Sequence, residues 1–168
     1  TFRDLYEEYP LFDVDIEREQ QLLLEHDIII WHHPLYWYSC PPLLKQWIDM
    51  VLTVGWAYGP GGTALRGKKL IQVITSGGSE AVYQHDGSNR YTIQEFLRPF
   101  EQTARLCKMQ YLPPFVVHGT HRLDEATLLV FRVALGELLD SLHSDDHSAT
   151  DWAQYPTIHH FLATRAAL

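Results

Sequence analysis

Positive charge is scarce in this chain: 13 Lys and Arg stand against 21 Asp and Glu among 168 residues, a formal net charge of -8. A surface of that sign repels phosphate backbones and anionic headgroups at long range, which argues against nucleic acid as a partner. Cysteine is scarce as well. Cys40 and Cys107 are too few for a disulfide framework and match no metal-ligand spacing, so two free thiols in a reducing cytoplasm are expected. No apolar run approaches the ~20 residues that a membrane-spanning helix needs, and the first residues lack the basic, apolar, small-residue order of a secretion signal. Membrane association is therefore expected only peripherally, through a partner. What remains is ordinary for a globular protein, with 46% hydrophobic and 20% charged residues, and the length suits one core. Aromatics are abundant: five Trp, nine Tyr and seven Phe, several of them in one loop.

Along the chain, residues 1–5 read as the end of a strand and 6–15 as a loop. Residues 16–25 read as a short one-sided helix. The run Ile28-Ile29-Ile30-Trp31 is continuously β-branched and aromatic, the pattern of a central strand buried on both faces of a parallel sheet. An aromatic loop over 35–40 leads to Pro41 and Pro42, which suit a helix start, and the apolar spacing predicts a helix over 42–53 packed on the sheet. Residues 55–67 form a glycine-rich loop without the Lys-Ser/Thr ending of a Walker motif. A strand over 69–75 ends in Ser76-Gly77-Gly78-Ser79, and 81–91 reads as a polar, mobile segment. Thr92 with Glu95 three residues on forms a capping box for a helix over 92–107. A strand over 115–118 follows Pro113-Pro114, and a last helix runs over 124–142. The domain is thus expected over 1–142, with 143–168 as a tail.

Strands alternating with long helices predict an α/β fold with a doubly wound parallel sheet. In such sheets ligands sit beyond the carboxyl ends of the strands, which directs attention to the loops 31–40 and 75–91. One offers flat aromatic surface and the other small residues whose backbone N–H groups can approach closely. A planar heterocycle such as a flavin suits both. Taken singly, the aromatics are half-buried loop residues and Gly77-Gly78 a turn; together they predict that Trp37, Tyr38, Gly77 and Gly78 converge on one cleft.

The segment Trp31-His32-His33-Pro34-Leu35-Tyr36-Trp37-Tyr38-Ser39-Cys40-Pro41-Pro42 and its following helix resemble the flavin loop of the NAD(P)H:quinone oxidoreductases. The likeness continues through Gly55-Trp56-Ala57-Tyr58-Gly59, Leu65-Arg66-Gly67, Thr75-Ser76-Gly77-Gly78 and Tyr83. Within that family, Arg3-Asp4-Leu5-Tyr6, Tyr9-Pro10, Tyr36-Trp37-Tyr38-Ser39 and Arg98-Pro99-Phe100 look most like the ancillary subunits of glutathione-regulated potassium-efflux systems. The resemblance implies a flavodoxin-like homodimer that binds FMN, or FAD in longer relatives, and carries hydride from NAD(P)H to quinones or other electrophiles. It implies that Pro34, Leu35, Tyr36, Trp37 and Tyr38 line the flavin ring. Thr75, Ser76, Gly77 and Gly78 would hold its polar edge, and Tyr83 would assist hydride transfer. It also places a first strand and a flavin-phosphate loop ahead of Arg3, so the sheet is expected to lack its first strand and the chain as it stands to hold FMN poorly.

Six residues past Tyr83, where the family carries a histidine, this chain has Asn89, with His85 off register. Two functions follow: an FMN-dependent quinone reductase attached to a potassium-efflux antiporter, or a regulatory subunit that binds the antiporter without turnover. The ten histidines, including His32-His33, His143 with His147 and His159-His160, have no carboxylate or thiol at ligand spacing and read as solvated, with His33 shaping the flavin loop. Surplus apolar residues Trp47, Val54, Trp56 and Tyr58 predict a dimer interface around the helix from Pro42.

Overall fold

The computed structural model describes residues 1–144 and 150–166. Its sheet is built on one strand. β2 (Lys69–Thr75) pairs in parallel with β1 (Ile28–Pro34) along one edge, and along the other with β3 (Gln110–Tyr111) and β4 (Phe115–Val117). β3 and β4 occupy one strand position that is broken in the middle. Leu112 still donates its N–H to Leu70 at 2.8 Å, but Pro113 and Pro114 have no N–H to give, and the ladder resumes only at Phe115.

Helices α2 (Ile16–Glu25), α3 (Pro42–Val51) and α4 (Ile93–Leu106) cover one face of the sheet. There Ile29, Trp31, Leu70, Ile74 and Val116 meet Leu23, Leu43, Leu44, Trp47, Leu97 and Phe100. Proline at the start of α3 costs nothing because the first-turn N–H groups have no partner in the helix, and the capping box of α4 is formed in both directions by Thr92 and Glu95. On the opposite face Ile71, Val73, Phe115 and Val117 pack against α5 (Glu125–Ser144) and α6 (Ile158–Ala166). Helices on both faces of a parallel sheet are the doubly wound arrangement predicted from the alternation of elements.

Several local expectations are corrected. Residues 1–4 pair with no strand of the described sheet, and Leu5–Glu8 form a short helix, α1, because the Asp4 side chain accepts from the Tyr6 N–H and caps it. β1 runs on to Pro34 and is an edge strand of the described sheet, buried on one face only. Ile29, Trp31 and His33 point inward, while on the opposite face Ile28 packs against the cluster of α5 and α6 and Ile30 is 39% exposed. Trp47 is core, not interface: its Nε1–H donates to Glu19 at 2.9 Å. Glu19, only 4% exposed, also accepts from the Tyr9 hydroxyl at 2.7 Å and Arg3 at 2.8 Å, so one buried carboxylate ties residues 1–9 and α2 to α3. Residues 80–91 hold a 3-10 turn, Glu80–Tyr83, and a backbone bond from Asn89 to Val82 at 3.0 Å.

Where the sequence suggests a tail, residues 152–166 complete the second core. Trp152, Ile158 and Phe161 are buried among Ile71, Phe115, Leu138 and Leu142, and Ile158 donates its N–H to Pro114 at 3.0 Å. His147 lies outside the described residues. Ile158→Ala removes three buried carbons from that cluster and is expected to cost about 2–5 kcal/mol in urea unfolding; a loss under about 0.5 kcal/mol would mean that this segment is not part of the cooperative core.

Candidate functional site

The β1–β2 register, Ile28↔Lys69 through Pro34↔Thr75, brings both strand ends to one level, and Leu35 extends the ladder with its N–H to Thr75 at 2.7 Å. Ser76 does the same toward β4, donating to Val117 at 2.9 Å. The loops after β1, β2 and β4 therefore meet at the carboxyl edge of the sheet, where parallel α/β folds bind ligands.

After β1 the chain reverses over Tyr36–Ser39, closed by the Ser39 N–H to Tyr36 at 2.9 Å. Trp37 and Tyr38 occupy its centre with φ of 49° and 62°. Both are left-handed, the conformation that two-residue hairpin turns usually give to Asn-Gly, and side chains there cost roughly 1–2 kcal/mol each. The turn divides its aromatics. Tyr38 folds back and stacks on Phe96, centroids 4.8 Å apart at 24°, and its hydroxyl reaches Asn89 at 3.4 Å. Tyr36 faces outward, and Trp37 is 93% exposed. Its side chain does not join Tyr38 and the glycines, which corrects the expectation that all of them converge.

Around Phe96 the remaining aromatics assemble. Tyr83 and Tyr91 meet its ring edge-on at 6.2 and 5.8 Å, and Tyr83 also lies against His118 at 5.6 Å. Beside this group the turn after β2 leaves room for a side chain only if its neighbours shift. A Cβ on Gly78 would stand 2.7 Å from Val82 and 3.1 Å from the Tyr83 ring, and one on Gly77 would stand 2.9 Å from His121. No described residue accepts from the backbone N–H of Trp37, Tyr38, Gly77 or Gly78. The structure thus brings Leu35, Tyr38, Thr75, Ser76, Gly77, Gly78 and Tyr83 to one edge. Pro34, as the last residue of β1, sits beside Thr75.

A buried polar network supports the edge from below. Gln72 donates from Nε2 to His33 Nε2 at 3.0 Å and accepts the Tyr111 hydroxyl at 2.6 Å, so His33 must carry its proton on Nδ1, which donates to the Pro34 carbonyl at 2.9 Å. Burial pushes His33 below the usual imidazole value and raises the Tyr111 phenol. Burial also raises both thiols, so neither Cys40 nor Cys107 is an activated nucleophile. Among the described residues no group of histidine, cysteine and carboxylate side chains has the geometry of a metal site.

Sequence reasoning missed Phe96, His118 and His121. His118 follows β4 directly, and the parallel pairing of β4 with β2 was the signal that could have placed it beside Ser76.

A model of the flavodoxin-like fold family matches residues 1–135. Over 141 residues the chain is 49% identical to the glutathione-regulated potassium-efflux system ancillary protein KefG of Enterobacter sp. (strain 638), covering 84% of this chain and 77% of that protein. Among solved structures, general stress protein 14 of Treponema denticola in complex with FMN superposes with a TM-score of 0.75 at 44% identity, over 83% of this chain and 78% of that one. An NADPH-quinone reductase from P. pentosaceus superposes with a TM-score of 0.70 at 43% identity, over 74% and 73%.

One buried and two half-buried imidazoles give the stability of the domain a pH signature. His33, His118 and His159 are all depressed from 6.5, in each case mainly by burial, so the unfolded chain binds protons more readily than the folded one below that value. Stability is then complete above pH 6.5 and falls as pH drops below it through the folded-state values. Urea midpoints between pH 8 and pH 5 are expected to decline only on the acid side; a flat profile would contradict the burial of these rings.

Proposed function

The chain belongs to the flavodoxin-like fold family, and from that premise we propose that it is an FMN-dependent NAD(P)H:quinone oxidoreductase that serves as an ancillary subunit of a potassium-efflux antiporter. The observation that carries this reading is the cradle at the carboxyl edge of the sheet, where backbone donors at Gly77 and Gly78 adjoin an aromatic wall and a Cβ would fill the space beside Tyr83. A flat heterocycle with a polar edge fits that combination.

Leu35, Tyr38 and the Tyr36–Ser39 turn would flank the ring, with Trp37 and Tyr38 contributing backbone N–H groups. Thr75, Ser76, Gly77 and Gly78 would hold the pyrimidine edge. When bound, the flavin supplies two-electron chemistry, taking hydride from NAD(P)H and delivering it to a quinone. Tyr83 contributes a hydroxyl at the site, whose proton is offered to the acceptor and regained from water. Its ring, fixed between Phe96 and His118, holds that hydroxyl in place. Tyr38 stacked on Phe96 forms one side of the cleft. The antiporter as partner and a homodimer, with Val54 exposed beside α3, belong to the same proposal.

A second reading, a regulatory subunit without turnover, is favoured by Trp37, an aromatic held in solvent on a strained turn. The two separate on one variant. Tyr83→Phe keeps the ring contacts and loses the hydroxyl, so NADH oxidation with a benzoquinone should fall about 10²-fold while FMN affinity stays unchanged. Absence of any turnover in the FMN-loaded wild type would contradict the enzyme reading and leave the regulatory one.

A further inference from the structure

In the reading above His118 only backs the Tyr83 ring, yet it touches both halves of the cradle. Its Nδ1 lies 3.0 Å from Ser76 Oγ, and the same Oγ lies 3.0 Å from the Gly78 carbonyl. A carbonyl can only accept, so the single hydroxyl proton of Ser76 goes to Gly78. Ser76 Oγ then meets the imidazole as an acceptor, and Nδ1 carries the ring proton. The lone pair is left on Nε2. Burial is the main influence on this ring and lowers its proton affinity. The Glu80 charge and the nearby Gly78 carbonyl oppose that, and His159 adds to it, so the neutral form prevails at pH 7. The face of the ring lies against Tyr83 at 34°. Thr120, two residues on, donates its N–H to the Ser76 carbonyl at 3.1 Å, and Gly119 donates to the Gly78 carbonyl at 2.9 Å, so the segment after β4 grips the 76–78 turn from its backbone as well.

We propose that His118 is the positioning residue of the cradle: its Nδ1–H fixes Ser76 and the glycine turn while its ring face seats Tyr83. This rests on the flavin reading, since the turn is positioned for the ring edge it holds. It also separates two contributions of one side chain, a donated hydrogen bond to the turn and a stacking surface for the tyrosine.

Two substitutions divide those contributions. In His118→Asn the amide N–H takes the place of Nδ1–H, whereas His118→Phe keeps a ring against Tyr83 and has no donor. Flavin affinity is read by quenching of FMN fluorescence, and the tautomer by 15N NMR of the flavin-free wild type. The expected result is a protonated Nδ1 with an unprotonated Nε2, FMN binding weakened ~3–10-fold in His118→Phe, and binding within about twofold of wild type in His118→Asn. An unprotonated Nδ1 overturns the proposal. So does wild-type affinity in His118→Phe, or a loss in His118→Asn as large as in His118→Phe. If neither the wild-type chain nor a form carrying an added first strand and phosphate loop binds FMN, the flavin reading fails and takes this role with it, a result distinct from binding that ignores residue 118.

Discussion

Seven consecutive pairings between β1 and β2 are the constraint on which the site depends. Strand side chains alternate between faces, so a slip of one residue would turn Trp31 and His33 out of the core and move Pro34 away from Thr75. The register is held from inside the sheet. Gln72 is fully buried, and its amide is satisfied only while His33 on β1 and Tyr111 on β3 stand where they do. Leaving such a group unpaired costs about 1–3 kcal/mol, which opposes any slip. The same network fixes the ring of His33 under the first residues of the aromatic loop.

Fixed strand ends allow the loops to be irregular. The left-handed pair Trp37-Tyr38 would be a poor choice for an isolated hairpin. Here the turn is anchored on one side by Leu35 on Thr75 and on the other by Tyr38 stacked on Phe96, and these contacts offset the conformational cost. Strain of this kind persists where the surroundings over-determine it, and it recurs at binding sites. Its result is a set of backbone donors kept out of secondary structure, next to a glycine turn closely lined by Val82, Tyr83 and His121.

Legibility in the sequence followed the range of the interactions. The capping box at Thr92, the apolar spacing of α3 and the β-branched run of β2 are local signals, and each element formed where they placed it. The flavodoxin-like fold was legible because ordered motifs along most of the chain resembled one family. What depends on distant partners was not legible. A run such as Ile28–Trp31 looks the same whether one face or two are covered, and the difference lies in where α5 and α6 settle. Trp47 looked surplus because its partner, Glu19, is 28 residues away on another helix. The segment after 150 scatters its large apolar residues among Asp, Gln, Thr and His, yet Trp152, Ile158 and Phe161 fall on the core. In the site, residues from the two inspected loops could be named in advance, but His118 arrives from a third strand end that composition does not mark.

Amide hydrogen exchange with and without FMN tests the central claim most directly, that the N–H groups left unpartnered at the carboxyl edge of the sheet are the flavin's binding groups. The account predicts slowed exchange at Trp37, Tyr38, Gly77 and Gly78 on addition of FMN, with the amides of α5 unchanged. Protection confined to another surface, such as the groove between α4 and residues 152–156, with those four amides unaffected, would contradict it.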